Sequence, residues 1–117
     1  MDVRKMQKLV VAALEDIKAR DIEVLNVTRL TAMFDRVIIA SADSTRQVKA
    51  LARNVQDKLK QAGVDAIGVE GEDAGEWVLV DLGAIVVHIM QPAVRTYYNL
   101  EELWGSSTTA RRPRRAA

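Results

Sequence analysis

Residues 76–104 read EWVLVDLGAIVVHIMQPAVRTYYNLEELW and hold four of the chain's five aromatic residues and its only histidine. The first half is an apolar run interrupted by Leu82-Gly83, the pattern of two strands joined by a tight turn. Pro92 then opens a helical segment, since a residue without an N–H fits the first turn of a helix. With Leu82 and Gly83 as a two-residue loop, cross-strand partners count outward from the turn and pair Asp81 with Ala84, Leu79 with Val86 and Trp77 with His88. Side chains alternate along a strand, so the hairpin has two unlike faces. One carries Val78, Val80, Ile85, Val87 and Ile89, apolar and β-branched as a packed sheet face requires. The other carries Trp77, Leu79, Asp81, Ala84, Val86, His88 and Met90. Asp81 and His88 would need partners in a dry core, so this face is expected to be partly exposed and open to recognition.

Working upstream, Glu70-Gly71-Glu72-Asp73-Ala74-Gly75-Glu76 is an acidic turn that precedes the hairpin, with Glu70, Glu72, Asp73 and Glu76 as its carboxylates. A divalent metal would need these oxygens to converge, which spacing alone does not supply, so a solvated turn is the preferred reading and no metal site is assigned. Beside Trp77 the same carboxylates form an acidic rim suited to lysines or arginines on a partner. Val64–Val69 reads as a short strand. Before it, Ser44 followed by Gln47 gives a capping-box signature, Val48, Leu51, Ala52, Val55, Leu59 and Ala62 form an apolar helical stripe, and Gly63 is the expected left-handed stop. Phe34–Ala40, with Val37-Ile38-Ile39, reads as a buried strand, and Ile22–Val27 as a short one. At the start, Met6, Leu9, Val10, Ala13, Leu14 and Ile17 make one stripe of an amphipathic helix over about residues 2–20. Asp16 and the neighbouring acids dilute its positive face and no large aromatic lies on the stripe, so core packing is preferred over a membrane surface.

The order is helix, two strands, helix, three strands and a terminal helix. That predicts an α/β (α+β) domain over residues 1–105, with a mixed sheet of about five strands and helices packed on it. Pro92 starts the last helical segment, and Asn99 with Glu102 repeats a capping pattern for a short turn, Leu100 to Trp104, ended by Gly105. Residues 106–117 lack apolar periodicity and read as a basic disordered tail.

The chain of 117 residues, 49% hydrophobic, suits one domain. It has no cysteine, which excludes disulfides, thiolate nucleophiles and cysteine-ligated metals, and one histidine, which excludes a cluster of histidine ligands. The charged start MDVRKMQKLV is unlike a signal sequence and no apolar run approaches about 20 residues, so a cytoplasmic location without membrane contact is expected. The net charge of +1 hides an asymmetry: without Arg111, Arg112, Arg114 and Arg115 of the tail, 13 basic residues face 16 acidic ones, a net −3. Such a body matches a basic protein surface better than a nucleic-acid backbone.

The stretches Glu76–Gly83, Val86-Val87-His88, Arg95 and Tyr98–Trp104 resemble the ribosomal silencing factor family, also called Iojap-like. The resemblance continues upstream through Asp35–Ser41, Ser44–Val48 and Gly68–Gly71 in the family's order, over about residues 5–104. The family usually has an acidic residue at Ala84 and a histidine at Gln47. The resemblance implies a nucleotidyltransferase-like fold and binding to the large ribosomal subunit through its fourteenth protein, which sterically blocks joining of the small subunit and represses translation. It also suggests a homodimer when the protein is free. The partner-binding residues expected on this basis and on the hairpin face are Trp77, Leu79, Asp81, His88, Arg95, Tyr98 and Trp104. The tail arginines are expected to touch rRNA nonspecifically. The alternative is a metal-dependent nucleotidyltransferase-like enzyme. Those enzymes carry a Gly-Ser turn opening a helix and an Asp-x-Asp pair, whereas here the turn is Ala40-Ser41-Ala42-Asp43-Ser44 with no such pair after it. A binding protein without catalytic residues or cofactor is therefore expected.

Overall fold

A computed structural model describes residues 1–105; the tail at 106–117, with its four arginines, lies outside the described residues. The elements are α1 (Val3–Asp16), β1 (Arg20–Asn26), β2 (Arg36–Ser41), α2 (Thr45–Gln61), β3 (Gly68–Glu70), β4 (Trp77–Asp81), β5 (Ile85–Met90), α3 (Pro92–Tyr98) and α4 (Leu100–Gly105).

Both long helices start and stop as local chemistry directs. The Asp2 carboxylate accepts the Lys5 N–H at 3.0 Å and the Ser44 hydroxyl accepts the Gln47 N–H at 3.1 Å, each satisfying a first-turn donor. The reciprocal half of the expected capping box is absent. Gln47 Oε1 instead accepts the Asp43 N–H, while its Nε2 donates to the Ile17 and Lys18 carbonyls and ties the start of α2 to the end of α1. At the far end Gly63 takes φ +90°, and the Gly63 and Val64 N–H groups return to the Lys60 and Leu59 carbonyls, closing the helix. That closure uses the residues with which the third strand was expected to begin, so β3 shrinks to Gly68–Glu70 and Ala62 is exposed at the cap.

The five strands lie in the order β1-β2-β5-β4-β3. β2 and β5 are parallel and every other neighbouring pair is antiparallel, so the sheet is mixed, as expected. α1 and α2 cover one face, where Val10, Leu14, Leu51, Val55 and Leu59 pack on Ile38, Val78, Val80, Ile85, Val87 and Ile89 in one core. A second, smaller core lies on the opposite face, where Leu25, Val27, Val37, Ile39 and Met90 meet Val94, Leu100 and Trp104 of α3 and α4. β5 runs through the middle and is buried along its whole length.

The hairpin register differs from the expected one by two residues: Asp81 pairs with Val86, Leu79 with His88 and Trp77 with Met90. The buried Leu82 stays opposite Ile85, its N–H bonded to the Ile85 carbonyl at 2.9 Å, so the chain reverses at Gly83-Ala84. Gly83, with φ +88°, supplies the backbone conformation the reversal needs, and its N–H is held by Asp81 Oδ1 at 2.9 Å. A shift of two leaves the alternation intact, so the paired residues keep the faces expected of them, whereas Ala84, expected on the second face, falls in the turn and packs against the main core. Their exposure is a different matter. α3 and α4 fold back across the second face and seal Met90 completely, so only its β4 side is open.

Candidate functional site

Where α3 and α4 stop short, the sheet leaves a groove of about 410 Å³. Leu79, Asp81, Val86 and His88 line it from the hairpin, Glu70 from β3, Gly83 from the turn, and Met33, Phe34 and Ile67 from two loops. Val86 is buried among its neighbours, whereas Met33 is 82% exposed and Ile67 73% exposed, so the apolar rim stands in solvent. Large apolar side chains in that position around a concave floor make the groove the candidate site.

Leu79 and His88 are directly opposed across β4 and β5, and Trp77 sits diagonally from His88. The indole Nε1–H donates to His88 Nδ1 at 3.0 Å. Tyr98 of α3 packs on the indole at 4.8 Å between ring centroids, and Tyr97 meets Tyr98 edge-on at 5.0 Å, so a ladder of rings runs from the groove to the surface of α3. Tyr98 is 54% exposed and Trp77 is half-buried beneath it. Burial pushes the His88 imidazole down to about 4, so it is neutral at physiological pH.

Arg95 and Trp104 lie elsewhere. The Arg95 guanidinium is turned inward, 8% exposed, donating to Glu101 Oε2 and Ser41 Oγ at 2.8 Å each and to Glu23 Oε2 at 3.5 Å. It pins α3 and α4 to β1 and β2 and offers nothing to an approaching surface. Burial alone would raise the Glu101 carboxyl, but the Arg95 hydrogen bond and charge hold it below its ordinary range. Trp104 packs edge-on against Phe34 at 5.8 Å and belongs to the smaller core, where it supports the groove wall. Of the acidic rim, Glu70 lines the groove, while Glu72, Asp73 and Glu76 are exposed in the turn beside it. Among the described residues no group of three or more His, Asp or Glu side chains is disposed to hold a metal ion, and no helix is long and apolar enough to cross a membrane.

The two departures from the family pattern fall away from the groove floor. Gln47 joins α2 to α1 as described, and at Ala84 it is the main-chain carbonyl that accepts the Asp35 and Arg36 N–H groups, an arrangement indifferent to the side chain. Met33, Phe34 and Ile67 are not among the expected site residues: Phe34 and Ile67 read as strand positions, whereas β2 starts only at Arg36 and β3 at Gly68, and Met33 lies in a loop with no periodicity to place it. The one available signal was large apolar side chains standing in otherwise polar loop sequence.

Comparison with known proteins agrees with this architecture. A ribosomal silencing factor RsfS of Chromobacterium violaceum is 58% identical over 105 residues, covering 90% of this chain and 86% of that one. A crystal structure of a protein from the same organism superimposes with a TM-score of 0.89 at 54% identity, covering all of this chain and 94% of the other. The mouse protein named mitochondrial assembly of ribosomal large subunit protein 1 is 35% identical over 99 residues, 82% of this chain and 43% of its own length. The family model described as ribosomal silencing factor during starvation matches residues 1–116, and the chain belongs to that family.

Proposed function

We propose that the protein silences ribosomes by docking on the large subunit through the groove, against its fourteenth protein, so that the bound body sterically prevents the small subunit from joining. The observation that carries this reading is the groove itself, with an apolar floor at Leu79 and Val86, an exposed apolar rim at Met33 and Ile67, and carboxylates at Glu70 and Asp81. An apolar centre with a charged margin suits a basic protein surface, whose lysines and arginines are steered by the margin while its apolar side chains enter the floor. The net charge of −3 outside the tail acts in the same direction. A relative named for assembly of the ribosomal large subunit supports that subunit as the partner.

No chemistry is required in this reading. A body 32 × 31 × 21 Å held at the subunit interface is thick enough to exclude intersubunit contacts by position alone. The free protein is a homodimer and cytoplasmic in this account, and the tail arginines add nonspecific contact to rRNA. Sedimentation through sucrose gradients with purified subunits tests it. The protein is expected to comigrate with the large subunit and to lower the fraction of joined ribosomes. Failure to comigrate would contradict the docking reading, and turnover of nucleotide with a divalent metal in place of any effect on joining would favour the enzymatic alternative.

A further inference from the structure

The Trp77 indole is half-buried under Tyr98 and does not stand out as a plug for a partner's pocket. We infer that Trp77 is a positioning residue: its N–H bonds to His88 Nδ1 and holds the imidazole in the Nε2–H form, so that His88 offers the groove one fixed hydrogen-bond donor for an acceptor, such as a carbonyl, on the docked protein. The inference rests on the docking reading and specifies what the partner must present.

The chemistry follows from the two rings. An indole nitrogen only donates, so the imidazole nitrogen facing it must carry a lone pair, and in a neutral imidazole the proton is then on the other nitrogen. His88 Nε2 has no hydrogen-bond partner among the described residues. The remaining polar side chains lining the groove are Glu70 and Asp81, which accept when ionised, so His88 supplies its side-chain donor. Protonation would set two N–H groups against each other. Glu70 and Asp81 would favour the cation, but burial outweighs them and leaves the ring neutral. Trp77 is itself held by the ladder with Tyr98 and by its place opposite Met90, so the donor is prepared before any partner arrives.

Because the chain has one histidine, its ring nitrogens can be read without ambiguity by 15N-edited NMR of the free protein. The wild type should show an unprotonated Nδ1, a protonated Nε2 and no titration between pH 8 and 5. Trp77→Phe keeps an aromatic ring beneath Tyr98 and removes the N–H. It should give mixed tautomers, protonation at higher pH and about tenfold weaker binding to the large subunit, the size of one hydrogen bond. His88→Leu should weaken binding about as much, and the double variant should be no weaker than His88→Leu alone, because Trp77 acts through His88. A protonated Nδ1 in the wild type would overturn the inference. So would altered tautomers with unchanged affinity, or losses that multiply in the double variant, which would put Trp77 in direct contact with the partner. A wild-type protein that does not bind the subunit at all would end the docking reading and the donor's role in it, while the NMR comparison would still report whether the indole governs the imidazole.

Discussion

One face of the sheet is two surfaces in one. Toward β1 and the end of β5 it is sealed by α3 and α4, and the polar group inside, Arg95, is engaged by Glu101, Ser41 and Glu23. Toward the hairpin it is open, and the polar group there, His88, has one nitrogen engaged by Trp77 and no partner at the other among the described residues. Both side chains are nearly as buried as each other, 8% and 9% exposed, so burial does not separate structure from site. What separates them is whether every polar atom is already used. A satisfied buried group fixes the fold, and a preorganised group with an atom to spare is available to a partner.

The sharpest way to break this contrast is to move a charge across it. Val80→Lys would place an ammonium in the fully buried core beneath α1 and α2 and should abolish cooperative unfolding, seen by circular dichroism as loss of the native signal. Next in size is Arg95→Leu, which leaves Glu101 and Glu23 facing each other without their cation and should lower stability by about 3–5 kcal/mol in denaturant titrations. A third test uses pH. The folded pKa of His88 lies below its unfolded value, so the unfolded state binds the extra proton and stability falls as pH drops from about 6.5 to about 4, by up to about 3 kcal/mol. His88→Gln should flatten that part of the pH profile while leaving the loss from carboxylates below it. The smallest effect on folding belongs to Asp81→Lys, which loses one hydrogen bond to the Gly83 N–H, about 1 kcal/mol, yet should weaken docking on a basic surface most at low salt. Unchanged docking at low salt would place Asp81 outside the contact.

The sealed half and the open half were not equally legible in the amino-acid sequence. Periodicity fixes which side chains share a face, so Val78, Val80, Ile85, Val87 and Ile89 are identifiable as core even with the hairpin read two residues out of register. The register is not legible in the same way, because a Leu-Gly pair looks like a loop, whereas burial of Leu82 holds it in the ladder and moves the reversal to Gly83-Ala84. Ser44 and Gly63 mark helix ends by local chemistry and act where expected. Long-range return is harder to read. Nothing local to residues 92–104 says that they fold back over Met90, and an arginine on a short helix has the pattern of a surface residue until Glu101, Ser41 and Glu23 close on it. The groove rim at Met33 and Ile67 is brought together from loops far apart in the chain, which no spacing rule connects.

The central claim, that the open half of the sheet is the docking face, is tested most directly by subunit joining with Leu79→Arg. Leu79 lines the groove floor beside His88 and is half-exposed, so the variant should fold with a denaturation midpoint near that of the wild type. Measured by sedimentation of mixed subunits, it should leave joined ribosomes at the level seen without the protein, because a guanidinium on the floor meets a basic partner surface. A folded Leu79→Arg protein that still blocks joining at the wild-type concentration would contradict the account and move the docking face elsewhere on the molecule.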